Sequence, residues 1–114
     1  EMAVQENADL RGGDLRYADL RNANLEGAHL LCSNLEGADL TSANCMGADF
    51  SGASFKNANL RHALFRDAYL INAIFDGADV TKTNFKRAII RKDALEKAIN
   101  NQQLPSNDVL RSLV

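Results

Sequence analysis

A period of five residues constrains this chain more than any other feature of its sequence. From Leu10 to Ile90 every fifth residue is large and apolar, except for the small Cys45, which gives seventeen positions in register without an insertion. Two residues before each of these positions lies a small residue, which is alanine in fourteen of the seventeen cases. The chain therefore repeats one short unit over about three quarters of its length.

This period fits neither a continuous helix nor a straight strand. On an α-helix five residues advance about 500°, so successive apolar side chains would form no stripe. On a straight strand an odd step would place successive apolar side chains on opposite faces of a sheet. Each unit must therefore be a short extended segment followed by a corner, which keeps every apolar residue inward.

A four-sided coil accounts for both columns of residues. Right-angled corners close four units into a coil of twenty residues, and the next coil lies one strand spacing, ~4.8 Å, above it. The large residue fills the centre of the coil, the small residue also points inward, and the residue between them points outward. The sequence therefore predicts a β-solenoid. Its predicted structural core contains Leu10, Leu20, Leu30, Leu40, Phe50, Leu60, Phe65, Leu70, Phe75 and Phe85.

Several copies of the unit have alanine, then an acid or amide, then leucine and two variable residues. Residues 8–12 read ADLRG, residues 18–22 ADLRN, residues 23–27 ANLEG and residues 38–42 ADLTS. These copies resemble the A(D/N)LXX unit of the pentapeptide-repeat proteins. The resemblance implies an all-β solenoid, in the form of a right-handed quadrilateral β-helix of about four coils.

The repeats divide the chain into three predicted segments. These are an N-terminal lead-in at residues 1–7, the repeat β-helix at 8–91 and a short α-helical C-terminal cap at 92–114. The register is expected to stop after Arg91, where Asp93 and Glu96 resemble a capping box at the start of one helix. Ser106 is a candidate cap for a second helix. We expect this tail to cover the solenoid end, where strand edges and core side chains would otherwise be exposed.

An apolar residue replaces the usual polar one just before the central residue at four positions. Together with one nearby isoleucine, they make up a candidate partner surface of Leu64, Tyr69, Ile71, Ile74 and Ile89. A contiguous set of apolar residues on a polar solenoid usually has a cover. Two interpretations remain open, namely that the C-terminal tail packs over the set or that another protein binds it.

The outward positions form charged columns when the sequence is read every twenty residues. One column alternates in sign and comprises Arg16, Glu36, Lys56 and Asp76. We expect its neighbours to attract one another between coils. A second column is mainly acidic and comprises Asp19, Asp39, Asn59 and Asp79. The acidic stripe could bind a cation or a basic partner, or could simply face solvent.

No residue pattern indicates catalysis, a cofactor or a metal site. His29 and His62 fall on different sides and coils, without a cysteine or carboxylate at ligand spacing around both. The repeated glycines lie at corner positions, where a tight turn explains them better than a phosphate-binding loop. Cys32 and Cys45 are predicted to remain unpaired. We therefore predict that the protein is not an enzyme, has no small-molecule substrate and holds no cofactor or metal.

Two binding functions of different class fit such a rod. The first is a protein-interaction scaffold, because the repeats resemble the C-terminal domains of eukaryotic BTB/POZ adaptors linked to ubiquitin ligases or the cytoskeleton. This segment is expected to be monomeric. The second is a DNA mimic that regulates gyrase or topoisomerase, as some bacterial members do. Eleven acids and ten bases between Glu6 and Arg91 make a poor imitation of a duplex. A lumenal or cyanobacterial repeat protein of unknown role would have a similar sequence.

Nucleic acid is not an expected partner, although bases cluster at the C-terminal end, because aromatic residues are few and mostly inward. No apolar run is long enough for a secretory signal or a membrane span, so no membrane association is expected. Two reduced thiols favour a cytoplasmic protein. A chloroplast or thylakoid-lumen location is the alternative if a targeting segment was removed.

Overall fold

Parallel bridges between residues twenty positions apart hold the backbone together. The computed structural model describes residues 8–91 and 93–100 and the backbone of 110–113. Its bridges form four ladders, one for each side of the coil. Side A contains Asp9, His29, Asp49, Tyr69 and Ile89; side B contains Asp14, Asn34, Ser54 and Ile74; side C contains Asp19, Asp39, Asn59, Asp79 and Ile99; side D contains Asn24, Asn44, Leu64 and Asn84. The spacing is the twenty-residue coil that the sequence predicts.

Two backbone hydrogen bonds fix each rung of a ladder. On side D the amide of Asn44 donates to the carbonyl of Ala23 at 2.9 Å, and the amide of Leu25 donates to the carbonyl of Asn44 at 2.7 Å. The same pair of bonds recurs on every side, so the coils stack as a parallel sheet one residue wide at each rung. The prediction of an all-β solenoid is confirmed in this coarse form, whereas the right-handed sense of the coil stays a prediction.

A β-turn makes each corner of the coil. The amide of Ala28 donates to the carbonyl of Leu25 at 3.0 Å, and the third residue of this turn, Gly27, has a φ of 66°. A positive φ at this position is the type II pattern, which favours glycine. Tyr17 and Arg87 nevertheless adopt the same conformation, with φ of 60° and 58°. The turn alone therefore does not explain where glycine occurs.

Some corner glycines are also required by the side chain of the preceding coil. The ring of Tyr17 lies against Gly37, where an added Cβ would come within 2.5 Å of it. The side chain of Asn57 lies against Gly77 in the same way. Bulky and absent side chains therefore alternate along this corner, a rule that the five-residue period does not reveal.

The centre of the solenoid is a continuous column of apolar side chains. Of the ten predicted core residues, Leu10 is partly buried and the other nine are at most 1% exposed. Rings twenty residues apart stack, with centroids 5.1 Å apart for Phe55 and Phe75 and 5.6 Å apart for Phe65 and Phe85. The small residues before them are also buried, including Ser33 and Thr83. Large and small residues thus pack inward as the periodicity predicts.

The described part of the C-terminal tail does not form the predicted helices. Residues 93–97 form turns, and Leu95, only 4% exposed, occupies the next central position. Ile99 is bridged to Asp79, which keeps the spacing of twenty residues. The coil therefore continues past Arg91, where the sequence predicted that it stops. A short isolated helix is marginal in water, whereas the coil edge offers hydrogen-bond partners and an apolar centre.

Two short strands continue side A at this end. Strand β1, Ala88–Arg91, pairs in parallel with strand β2, Leu110–Leu113. The pairing of Ala88 with Leu110 places backbone of the tail on the strand edge that the solenoid would otherwise expose. Strand β2 falls where the sequence predicted the second helix, while Ser106 and the predicted lead-in at 1–7 lie outside the described residues. The division of the chain into a lead-in, a repeat segment and a cap stays a prediction.

Candidate protein-interaction surface

The outward acid or amide of the repeat closes the turn that follows it. The carbonyl oxygen Oδ1 of Asn24 accepts the backbone amide of Glu26 at 3.1 Å, and Asp39 accepts that of Thr41 at 3.0 Å. Asn84 and Lys86 repeat the contact at 2.9 Å. This arrangement is an Asx turn, in which a short polar side chain replaces a backbone acceptor. The second residue of the unit therefore has a structural task as well as facing solvent.

The acidic stripe on side C consists of such turn caps. Asp39 and Asp79 each accept a threonine hydroxyl at 2.6 Å, from Thr41 and Thr81, and Asp79 also accepts the amide of Asn100 at 3.1 Å. Partial burial disfavours ionisation of Asp79, but the hydrogen bonds and the charge of Arg61 together hold its pKa below the usual value. Within residues 8–91 and 93–100, no cluster of three or more metal-ligating side chains occurs.

In the first coil the caps are joined by arginines of the same turn. Arg11 binds Asp9, Arg16 binds Asp14 and Arg21 binds Asp19, at 2.8 to 2.9 Å. Hydrogen bonds from the paired arginines lower the pKa of Asp9 and of Asp14 to about 2. Arg16 thus pairs directly with the acid two residues before it, and the charge of Glu36 in the next coil also attracts it.

The candidate partner surface lacks these caps. Leu64, Tyr69 and Ile74 are 38%, 46% and 47% exposed. Leucine and isoleucine carry no acceptor, and the tyrosine hydroxyl lies at the far end of its ring, out of reach of the turn amide. Ile89 and Ile71 are half-buried. Each uncapped turn gives up a hydrogen bond of about 1 kcal/mol. Large apolar side chains therefore occupy these positions although a polar residue would complete the turn.

The structure arranges these residues as a band rather than as one flat patch. Tyr69 and Ile89 are bridged neighbours on side A, while Leu64 lies on side D and Ile74 on side B. Ile71 lies at the corner between sides A and B, because it follows the last residue of one rung. The set runs around successive sides of one coil, where outward side chains on adjoining sides of a square diverge. Only the pair on side A shares a rung-to-rung contact.

A shallow pocket of about 400 Å³ opens next to Ile74. It forms because the chain leaves the ladder of side B here, and the amide of Ala94 donates to the carbonyl of Arg91 within a turn. Arg91 and Lys97 supply positive charge to its wall, and Asp93 supplies negative charge. The pocket gives the exposed isoleucine a concave neighbour.

Sequence reasoning missed three further exposed residues with large apolar side chains, which are Tyr17, Leu31 and Ile99. Ile99 is 51% exposed on side C, beyond the predicted end of the five-residue register. The spacing of twenty residues from Asp79 is the signal that could have placed it. Cys32 is exposed and Cys45 buried, both as free thiols, and burial raises the pKa of the Cys45 thiol.

A profile of pentapeptide repeats matches residues 6–41, 18–57 and 48–87, with eight copies of the repeat. With the four ladders of bridges, this match shows that the chain belongs to the pentapeptide repeat family. No curated protein matches the chain. Within the part of the chain that the structure describes, no helix has the length and apolar character needed to cross a membrane.

Solved structures of pentapeptide repeat proteins resemble the fold. One from Nostoc PCC 7120 is 27% identical, with a TM-score of 0.80 over 92% of this chain and 84% of that one. Rfr23 from the cyanobacterium Cyanothece 51142 is 37% identical, with a TM-score of 0.69 over 69% and 54%. One from the thylakoid lumen of Arabidopsis thaliana is 25% identical, with a TM-score of 0.67 over 79% and 66%. The chain thus spans about half to two thirds of the last two.

Proposed function

We propose that this solenoid is a non-catalytic scaffold that holds a protein partner against the outer surface of its C-terminal coils. The observation that carries the proposal is the loss of turn caps at Leu64, Tyr69 and Ile74. Exposed apolar residues that replace a stabilising polar residue are typical of a binding surface. Tyr69 at the middle of the band supplies a large, rigid side chain of the type enriched in binding hot spots.

The described position of the tail favours an external partner over an internal cover. Strand β2 extends the edge of side A in line with Ile89, so it adds a rung to the ladder instead of lying over Tyr69. Tyr69 and Ile74 remain about half exposed. An adaptor role of the BTB/POZ type, linked to a ubiquitin ligase or the cytoskeleton, is the specific form of the proposal that the sequence resemblance favours. The cytoplasm is the compartment proposed with it.

A DNA mimic is the less favoured alternative. Between residues 56 and 100 the sequence has nine bases and five acids, so only the N-terminal half of the rod is negative. A continuous acidic surface is what would imitate the phosphate backbone. A gyrase supercoiling assay tests this alternative, and inhibition at low micromolar protein would favour it over the scaffold.

Site-specific photo-crosslinking tests the scaffold proposal. A photoreactive amino acid replaces Tyr69 or Ile74 in the protein expressed in its own cells, with the same substitution at Asn59 on side C as the matched control. We expect one distinct partner to be cross-linked from positions 69 and 74 and not from position 59. Equal cross-linking from all three positions would contradict a partner surface at the band.

A pair of asparagine substitutions separates partner binding from internal cover. Tyr69→Asn and Ile74→Asn remove the apolar side chains and restore the acceptor for the turn. We expect partner capture to be lost while the melting temperature stays within a few degrees of the unmodified protein. A large fall in melting temperature would show instead that the band is covered by the chain itself.

A further inference from the structure

Side D changes its charge along the solenoid. In its N-terminal half, residues 21–27 and 41–47, one arginine and one glutamate are the only charged residues. In its C-terminal half, residues 61–67 and 81–87, there are five bases and one acid. The acid, Asp67, is bound by Arg87 through two contacts of 2.9 and 3.1 Å. The basic cluster that remains consists of Arg61, Arg66, Lys82 and Lys86.

These four cations differ from the arginines elsewhere on the rod. Arg11, Arg16, Arg21, Arg87 and Arg91 each form an ion pair with an aspartate. No ion pair among the described residues includes a member of the basic cluster. Arg61 acts at longer range on Asp79 across the corner to side C. Within the described residues the cluster is therefore a positive surface that no ion pair neutralises.

An apolar side chain lies in the middle of the basic cluster. Leu64 is 38% exposed on side D and is bridged to Asn84 in the next coil. Cations follow it along the chain at Arg66 and precede it at Arg61, and Lys82 and Lys86 flank Asn84 in the same way. A ligand that matches this arrangement needs negative charges around a central apolar group.

We propose that the C-terminal half of side D binds an acidic peptide segment of a partner protein, with an apolar side chain of that segment packed on Leu64. The proposal rests on the scaffold function above and names the chemistry of its partner. Cations at both corners hold carboxylates on either side of the apolar contact, and opposite potentials speed the encounter and fix its register.

The surroundings favour a peptide over a nucleic acid. Within residues 61–67 and 81–87 both phenylalanine rings, Phe65 and Phe85, are buried, which leaves the imidazole of His62 as the one exposed ring for base stacking. Asp39 and Asp79 on side C border the cluster and repel a long polyanion. The cluster also covers only two coils, ~10 Å along the axis, which is short for a phosphate backbone. The apolar side chain of Leu64 would make no favourable contact with a phosphate group.

Fluorescence anisotropy with a defined probe tests the proposal. The probe is a fluorescein-labelled peptide of three Asp-Glu-Leu-Asp units, titrated with the whole chain at low salt. Arg66→Gln with Lys86→Gln removes two cations of the cluster, and Lys56→Gln with Lys97→Gln removes two cations from another corner as the matched control. We expect the first pair to weaken binding about tenfold and the control to change it less than about twofold.

Further arms separate the sources of binding. Leu64→Asn, which restores a turn cap, is expected to weaken binding of the probe but not of an oligoglutamate peptide of equal length. A single-stranded oligonucleotide of matched charge is expected to bind more weakly than the probe. Tighter oligonucleotide binding, equal losses in both double variants or no binding at low salt would overturn the proposal.

The outcome is separable from that of the scaffold proposal. The titration contains no cellular partner, so it reports the basic cluster alone, whereas cross-linking from positions 69 and 74 reports the band. Cross-linking without peptide binding contradicts only the acidic segment. Peptide binding without cross-linking contradicts only the apolar band.

Discussion

The first and last coils share one backbone but differ on the outside. Of the ten outward residues from Asp9 to Ser54, nine accept the amide two positions later, and His29 is the exception. Of the seven from Asn59 to Ile89, only Asn59, Asp79 and Asn84 do so. Residues 8–55 have seven acids and three bases, whereas residues 56–100 have five acids and nine bases. The N-terminal coils thus follow the stabilising rule, and the C-terminal coils depart from it.

The difference teaches where this fold can vary. Every rung needs an apolar centre, a small inward residue and two backbone bonds, and both halves supply them. The contribution that recurs at the outward residue is the hydrogen bond that closes the turn, which is about 1 kcal/mol. Substitutions at that position therefore cost little stability, and the C-terminal coils carry apolar side chains there with basic side chains nearby.

A charge in the core should have the largest effect, and it tests what the two halves share. Phe65→Asp places an unpaired carboxylate in a fully buried ring position. The free-energy cost of burying this charge exceeds the total stability of a small domain. We expect no cooperative unfolding transition by circular dichroism. Arg61→Ala on the surface should stay within about 0.5 kcal/mol of the unmodified protein. Similar losses from both would contradict the inward assignment.

Two buried hydroxyls sharpen the comparison within the small inward column. Ser33 Oγ has no hydrogen-bond partner, whereas Thr83 Oγ1 donates to the carbonyl of Leu60 at 2.6 Å. Ser33→Ala removes an unsatisfied polar group and should raise the free energy of unfolding by about 1 kcal/mol. Thr83→Ala should lower it by about the same amount. Chemical denaturation measures both, and a loss on Ser33→Ala would contradict the orphaned hydroxyl.

Acid titration tests the ion pairs between turn caps and arginines in the first coil. The pKa of Asp9 and of Asp14 is lowered from 3.8 to about 2. Because the folded-state pKa is the lower one, these carboxylates contribute stability above about pH 4 and lose it as pH falls towards 2. Carboxyl chemical shifts followed by NMR should give midpoints near 2 for both residues. Arg16→Gln should return Asp14 towards 3.8 and leave Asp9 unchanged.

The repeat and its core could be predicted because every fifth side chain packs at the centre of the coil and must therefore be apolar. A coil of twenty residues places the side chains of Leu25 and Phe55 in its interior. The tail could not be predicted in this way, since Asp93 and Glu96 carry a helix-start signal that is purely local. Pairing of Ile99 with Asp79 depends instead on an edge formed by residues far back in the chain.

The candidate site was only partly predictable for a related reason. Exposure of Tyr69 and Ile74 followed from the period, because the position before the centre points outward. Their division between successive sides followed from the same register. The loss of turn caps needed coordinates, since the Asx turn of Asn34 is a side-chain contact. The basic cluster becomes visible only when Arg66 is placed beside Lys86 of the next coil.

The free energy of unfolding of Ile74→Asn tests most directly the claim that the C-terminal coils forgo turn caps for reasons other than folding. Side B offers a matched position, because Asn34 Oδ1 accepts the amide of Glu36 at 3.1 Å and Ile74 lies two rungs further on. We predict that the free energy of unfolding of Ile74→Asn is about 1 kcal/mol higher than that of Ile74→Ala, which equals the loss expected on Asn34→Ala. Ile74→Asn should be no less stable than the unmodified protein. The account would be contradicted if Ile74→Asn were as unstable as Ile74→Ala, or if its free energy of unfolding lay more than about 2 kcal/mol below that of the unmodified protein.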